Sequence, residues 1–286
     1  NRYGKGNAKA ISDLIQSRKA PKKLIVSLIS SQLDCDRLDY LMRDSQSSGT
    51  YYGQIDLERI LSALTLAPDG DLAINPKGLL AVEHYLVVRN LMYRSIYNHR
   101  LNEVCNWILE KIIETARYLG PKKIWADNCF SQWLWNPSNI SLDMFLANDD
   151  IRTMYHLSRW RDDSPKALQK LCESFINRKL FKAVDIAGLN IEMQLQALAI
   201  TRKLAEKNGQ DPNLCCGIRH NKFIGYQPYK SGLRLWDGEK LQALENVSLL
   251  IERLINPSET AWLIFPKEID EELGNNLLKL KNESKN

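Results

Sequence analysis

Apolar residues recur along most of this chain at spacings of three and four, the period of helices that bury one face. Residues 7–32 read as a helix, a basic turn and a second helix. Ala8, Ala10, Ile11, Leu14 and Ile15 are helically spaced, Pro21 marks a helix start, and Leu24 to Ile29 is apolar enough to be buried. Leu33, Leu38, Leu41 and Met42 keep an apolar stripe through a strongly charged stretch, Ser30 to Asp44. Gly49 to Gly53 is a turn, and Asp56 is placed to cap a short helix over 57–64. Asp69-Gly70-Asp71 turns a small hairpin that includes Leu72-Ala73-Ile74, and Asn75-Pro76-Lys77-Gly78 opens the next helix. From Leu79 to Leu119 there is no Gly or Pro, which predicts one helix of ~60 Å at 1.5 Å per residue. Its stripe would be Leu80, Leu86, Val87, Leu91, Val104, Ile108 and Ile112.

Gly120-Pro121 ends that helix, and shorter helices are expected over 149–160, 164–178 and 191–207. Beyond Gly209 the pattern changes. Lys222 to Tyr229, Gly232 to Trp236 and Ala261 to Pro266 read as strands, Asp237-Gly238 as a turn, Glu239 to Leu254 as a helix, and 279–286 as a disordered charged tail. The expected fold is mainly α with a small α+β module at the C-terminal end. Its expected blocks are 1–120, a helical extension over 121–208, and 209–286.

Composition narrows the class without naming a function. The chain's 286 residues allow one large domain or two, and 44% hydrophobic with 26% charged residues is ordinary for a soluble globular protein. The net charge of +5 is mild and spread out; it permits anionic substrates or nucleic acid and demands neither. No apolar run has membrane-spanning length, no signal peptide opens the chain, and a cytoplasmic protein without a membrane partner is expected. The six cysteines form no CxxC pair and read as reduced thiols, so the sequons at Asn139, Asn246 and Asn282 are taken as chance. The first residue is Asn, which suggests that a beginning is missing.

Candidate chemistry concentrates in two stripes. Asp36, Tyr40 and Asp44 fall on one helical face at i, i+4 and i+8 with Arg37 beside them, and Arg89, Tyr93 and Tyr97 repeat that spacing. A carboxylate, a phenol and a guanidinium on one face suit a hydrated metal ion and a phosphate. A solvated face of Asp–Arg pairs, or a boundary of amphipathic side chains, has the same pattern. Trp125, Trp133 and Trp135 could stack on a base, but core packing or an oligomer contact is the better reading of them. The cluster Arg18 to Lys23 reads as a solvated loop.

The words SSQLDCDRLDYLMRDS (30–45) and Tyr52 to Leu61 resemble the second half of an HD-domain deoxynucleoside triphosphate triphosphohydrolase, a family of bacterial dGTPases and the vertebrate dNTPase with a SAM domain. Arg89-Asn90 with Tyr97 and His99, Asp143-Met144-Phe145-Leu146, and Arg178 to Lys182 match further landmarks of it. The resemblance implies that residues 1–120 are the C-terminal part of an HD helical bundle. It makes Asp36 the last of four ligands to a divalent metal (Mn, Mg, Fe or Zn), the others being a His and an adjacent His-Asp pair. None of His84, His99, His156 and His220 is followed by Asp, and all lie downstream, so those ligands are expected on a preceding segment or another subunit.

In the chemistry so implied, a metal-activated water attacks the α-phosphate of a dNTP and yields a deoxynucleoside and triphosphate. Asp36 and Arg37 would be catalytic; Arg37 and Arg89 would offset phosphoryl charge; Tyr40 would donate to a phosphate or the sugar. Asp44 would accept from the sugar hydroxyl or orient Tyr40, Tyr97 would pack against the deoxyribose, and Tyr93 stands where some relatives carry His. A homo-oligomer is expected, and nucleic-acid binding has no dense basic patch to support it. The alternative is a non-catalytic fragment or split subunit acting in assembly or nucleotide-dependent regulation.

Overall fold

The computed structural model describes residues 4–17, 22–228 and 232–283. Part of the expected basic turn (18–21), the end of the expected strand at Tyr229 and the last residues of the tail lie outside them. The chain is mainly helical with small sheets. Its first elements are α1 (Gly4–Ser17), α2 (Lys23–Ile29), α3 (Cys35–Ser48), α4 (Leu57–Ala63), β1 (Leu64–Leu66), β2 (Leu72–Ile74) and α5 (Leu79–Met92). Then come α6 (Arg100–Leu119), α7 (Asn128–Trp135), α8 (Leu142–Leu146), α9 (Asp150–Asp162), α10 (Lys166–Ile176), β3 (Lys182–Asp185), α11 (Ile191–Lys207) and α12 (Pro212–Cys215). The last are β4 (Gly217–Ile224), β5 (Arg234–Trp236), β6 (Leu241–Ala243), α13 (Leu249–Leu254), β7 (Pro257–Phe265) and α14 (Asp270–Glu283).

Contacts group these elements into two compact units, Asn1–Tyr97 with Lys222–Ser258, and Asn98–Asn221 with Glu259–Asn286. This grouping differs from three consecutive blocks, because the residues beyond 209 divide between the units. In the first unit, β1-β2-β5-β6 form one sheet, with β1/β2 and β5/β6 antiparallel and β2/β5 parallel at Ile74 and Leu235. Its core gathers Leu33, Leu41, Ile60, Val82, Leu86 and Tyr226. In the second unit, β3 and β7 pair antiparallel, from Lys182 opposite Phe265 to Asp185 opposite Trp262. Its helices α6, α9 and α10 pack around Ile108, Leu157, Trp160 and Leu168.

Local chemistry explains most boundaries. Asp34 caps α3 by accepting from the Arg37 N–H at 2.8 Å, and Gly49, at φ +70°, closes it. Asp56 caps α4 through the Arg59 N–H at 3.0 Å. Gly53 allows the turn after α3 to close on it: a Cβ there would sit 2.4 Å from the Leu41 carbonyl oxygen.

The single helix expected over 79–119 does not form. α5 stops at Met92, a wide π-type turn spans Tyr93–Tyr97, and α6 starts afresh with His99 Nδ1 accepting from the Leu101 N–H at 3.3 Å. The apolar stripe explains the break. Val82, Tyr85, Leu86 and Met92 belong to the first unit's core, whereas Val104, Ile108 and Ile112 belong to the second's. Leu80 and Leu91, expected in the stripe, are exposed. The helix expected over 239–254 is likewise reduced to α13, because Leu241–Ala243 pairs with β5 instead. Asp237 Oδ1 accepts from the Glu239 and Lys240 N–H groups, and Gly238 at φ +106° turns that hairpin.

Candidate functional site

The two stripes meet inside the first unit. α3 and α5 pack together, and the π-type turn carries Tyr93 and Tyr97 onward from α5. The Tyr40 and Tyr93 hydroxyls are 3.3 Å apart, and the Tyr97 hydroxyl donates to Asp44 Oδ2 at 2.8 Å. The Tyr97 ring lies edge-on to Tyr40 and Tyr93, with centroids 5.8 and 5.0 Å away. Asp44 therefore orients Tyr97 and not Tyr40. Burial, followed by the hydrogen bond to Tyr93, holds the Tyr40 pKa well above that of a free phenol; burial and the bond to Asp44 do the same for Tyr97. Both phenols stay protonated and serve as neutral hydrogen-bonding groups.

Arg89 lies at the buried end of the second stripe, only 5% exposed. Nη1 donates to the Gln32 carbonyl oxygen at 3.2 Å, and Nη2 donates to Gln32 Oε1 at 3.2 Å and to the Gly225 carbonyl oxygen. These partners are neutral. Among the described residues no carboxylate pairs with Arg89, so its charge sits in a low-dielectric setting without a counter-ion. The nearest acid in sequence to Gln32, Asp34, is engaged elsewhere: it is buried, caps α3 and pairs with Arg37, which also donates to the Ser31 carbonyl oxygen.

A cleft of about 430 Å³ opens here, lined by Ser30, Ser31, Gln32, Arg37, Arg89, Tyr93, Lys222, Phe223, Ile224 and Gln227. Three cationic side chains line it, and Phe223 stacks on Tyr93 at 4.4 Å with planes 17° apart. Of the residues expected from the sequence, Arg37, Arg89 and Tyr93 line the cleft. Tyr40, Tyr97 and Asp44 form the hydrogen-bonded cluster joined to it through Tyr93. Asp36 is exposed in the first turn of α3, one helical turn before Tyr40, and lines neither. Sequence reasoning missed Gln32, Lys222, Phe223 and Gln227. Gln32 lay within the 30–45 motif with no periodic signal, and the others come from a segment nearly two hundred residues away.

A divalent metal is not matched by these residues. No group of three or more His, Cys, Asp or Glu side chains suited to a metal occurs among the described residues, and Asp36 offers one exposed carboxylate, too little to displace a hydration shell. The buried histidine, His156, belongs to the second unit's core. It stacks between Trp125 and Phe130 at 5.1 and 4.2 Å, with Nδ1 2.8 Å from the Arg152 carbonyl oxygen and Nε2 accepting from the Asp127 N–H at 3.1 Å. Trp125 is taken up by this stack and by Arg159, 3.9 Å above its ring, while Trp133 and Trp135 pack against the same core. No helix among the described residues is long and apolar enough to cross a membrane.

Known proteins resemble this chain in sequence and in fold. The uncharacterized Bacillus subtilis protein YwfO is 29% identical over 257 residues, covering 86% of this chain and 58% of that protein. An uncharacterized protein of Methanocaldococcus jannaschii is 29% identical over 272 residues, 90% of this chain and 54% of its own length. The chain thus spans little more than half the length of these curated relatives. A phosphohydrolase from Bacteroides thetaiotaomicron has a similar structure, with a TM-score of 0.75, 24% identity, and coverage of 89% of this chain and 66% of that one. A hypothetical protein from Aquifex aeolicus gives a TM-score of 0.70 at 19% identity over 96% of this chain and 66% of its own. Both likenesses are of fold. The description "HD associated region" matches residues 55–279, a span that holds Arg89, Tyr93, Tyr97 and the segment 222–227, and over it this chain belongs to the HD associated region family.

Proposed function

We propose that the chain is the phosphate- and sugar-gripping part of an HD-superfamily phosphohydrolase that acts on deoxynucleoside triphosphates and releases triphosphate. One observation carries the reading: a buried guanidinium, Arg89, faces a polar cleft with only neutral oxygens bound to it. A sheltered charge without a partner is costly, and an anionic ligand removes that cost. The cleft volume falls in the range of small-molecule sites. Arg89 would bind phosphoryl oxygens through the fork of its guanidinium, with Arg37 and Lys222 adding positive field at the wall. Tyr93, on the cleft wall, would offer its ring edge and neutral hydroxyl to a deoxyribose, with Tyr40 and Tyr97 joined to it.

The hydrolytic step requires groups beyond these. The divalent metal implied by the resemblance finds no full ligand set among the described residues, and Asp36 is the one carboxylate this chain would bring to it. A second reading, a binding subunit without catalysis of its own, is favoured by the same shortage of ligands. Both are tested by incubating the complete protein with each of the four dNTPs and identifying products. Inorganic triphosphate from the wild type and none from Asp36→Ala is the expected result. Stepwise release of orthophosphate would refute the triphosphohydrolase, and turnover unaffected by Asp36→Ala would refute the assignment of Asp36 to the metal. Binding without turnover would select the second reading.

A further inference from the structure

Gln32 sits where three parts of the first unit converge. It is 5% exposed, and its main-chain carbonyl oxygen accepts from the Tyr85 hydroxyl at 2.6 Å and from Arg89 Nη1 at 3.2 Å. In the side chain, Oε1 accepts from Arg89 Nη2 at 3.2 Å and from the Gln227 N–H at 2.9 Å, while Nε2 donates to the Gln227 carbonyl oxygen. Only this amide orientation works. Turned over, the NH₂ would face the guanidinium and the oxygen would face a carbonyl. Gln32 thus ties Arg89 to the segment after β4 and fixes the direction of its fork.

Shape alone would admit glutamate, which has the same length and would reach the same guanidinium. Chemistry separates the two. A carboxylate 3.2 Å from Nη2 would form a sheltered ion pair, cancel the positive field of Arg89 and repel any incoming anion. It would also lose the donor that satisfies the Gln227 carbonyl. An apolar side chain would preserve the charge but remove one of Arg89's three hydrogen bonds and the side-chain partner of the Gln227 N–H and carbonyl groups.

We infer that Gln32 is a positioning residue that holds Arg89 with a neutral amide so that the guanidinium keeps its full charge for a polyphosphate ligand. The inference rests on the phosphate-binding part of the proposed function and not on hydrolysis. It is tested on the complete protein by calorimetric titration with inorganic tripolyphosphate at low salt, with thermal unfolding measured alongside. Gln32→Glu is expected to weaken binding by roughly tenfold or more while the melting temperature holds or rises. Gln32→Met is expected to lower the melting temperature yet weaken binding by only about threefold.

A purely structural role would reverse that order, with binding lost in step with stability. Gln32→Met losing more than Gln32→Glu, or Gln32→Glu binding like the wild type, would overturn the inference. Should Gln32→Glu fail to fold, retention of binding by the destabilised Gln32→Met decides for it, and loss decides against it. A wild type that does not bind tripolyphosphate would overturn it too. A wild type that binds tripolyphosphate but cleaves no dNTP would remove the hydrolase reading alone.

Discussion

Two sheltered arginines, one in each unit, meet opposite fates. Arg219, on β4 in the second unit, donates from Nε to Glu103 and from Nη1 to both oxygens of Glu110, at 2.8 and 2.7 Å. Asn221 then satisfies the other Glu103 oxygen at 3.2 Å. Burial pulls the Arg219 pKa down, Glu110 and Glu103 outweigh it, and the net shift is upward. Two carboxylates thus offset its charge. Arg89 in the first unit is as well hydrogen-bonded, but by carbonyl and amide oxygens, so its geometry is fixed and its charge is not offset. A fixed, unneutralised charge lining a cleft is what the proposed anion site requires, whereas a neutralised one serves as a brace.

The largest expected effect breaks the brace. Arg219→Met leaves Glu103 buried without its counter-charge and should destabilise the protein by about 3 kcal/mol or more in chemical denaturation. Tripolyphosphate affinity of the folded fraction should not change. Arg89→Met should do the converse: binding falls roughly thirtyfold, the loss of a charge-assisted contact, while stability moves by under about 1 kcal/mol. Relief of an unpaired charge there offsets the three lost hydrogen bonds. If Arg89→Met unfolded as readily as Arg219→Met and still bound the anion, the contrast between the two sites would be wrong.

A smaller effect concerns a group kept neutral by its surroundings. His156 is enclosed by Trp125, Phe130 and Trp160 and faced by Asp127, Arg152 and Arg159. Its Nε2 accepts from an N–H, so the folded ring is uncharged, and burial lowers its pKa despite Asp127 nearby. In the unfolded chain it takes up a proton near pH 6.5, and the folded chain resists until lower pH. Between those points the unfolded state binds more protons, so stability is present above about pH 6.5 and is lost on acidification. Melting temperatures from pH 8 to 5 should show that limb, and His156→Gln should flatten it; a limb of equal slope in the variant would assign it to other groups.

What could be read in advance follows from the range of the interactions. The 3.6-residue period placed Asp36, Tyr40 and Asp44 on one face and Arg89, Tyr93 and Tyr97 on another, and the structure joins Tyr40 to Tyr93 and Asp44 to Tyr97. The Asp56 cap was legible because it acts within three residues. The break at Tyr93–Tyr97 was not, because no Gly or Pro announces it; it follows from two cores each claiming half of an apolar run. Strand β6 was hidden in a helical pattern because its pairing with β5 is tertiary. Gln32 was visible as a letter in a motif, but its role depends on Arg89 and on Gln227, 195 residues away. No local pattern encodes that distance.

The smallest effect is also the most direct reading of the Arg89 charge. The Tyr85 hydroxyl donates to the same Gln32 carbonyl oxygen that Arg89 holds, and its pKa is pushed up to about 12. Burial is the main cause, and Arg89 pulls the other way by favouring the phenolate. An unfolded tyrosine ionises near pH 10, so Tyr85 contributes stability that is whole below about pH 10 and is lost as pH rises through 12. Tyr85→Phe should remove that part of the alkaline decline, at a cost of about 1 kcal/mol near neutrality for the lost hydrogen bond. Gln32→Glu sharpens the comparison further. If Arg89 is unneutralised in the wild type, an added carboxylate cancels the charge that favours the phenolate, and the buried tyrosine's absorbance transition moves to still higher pH. An unmoved transition would mean that the Arg89 charge was already offset, leaving no electrostatic difference between this site and the braced Arg219.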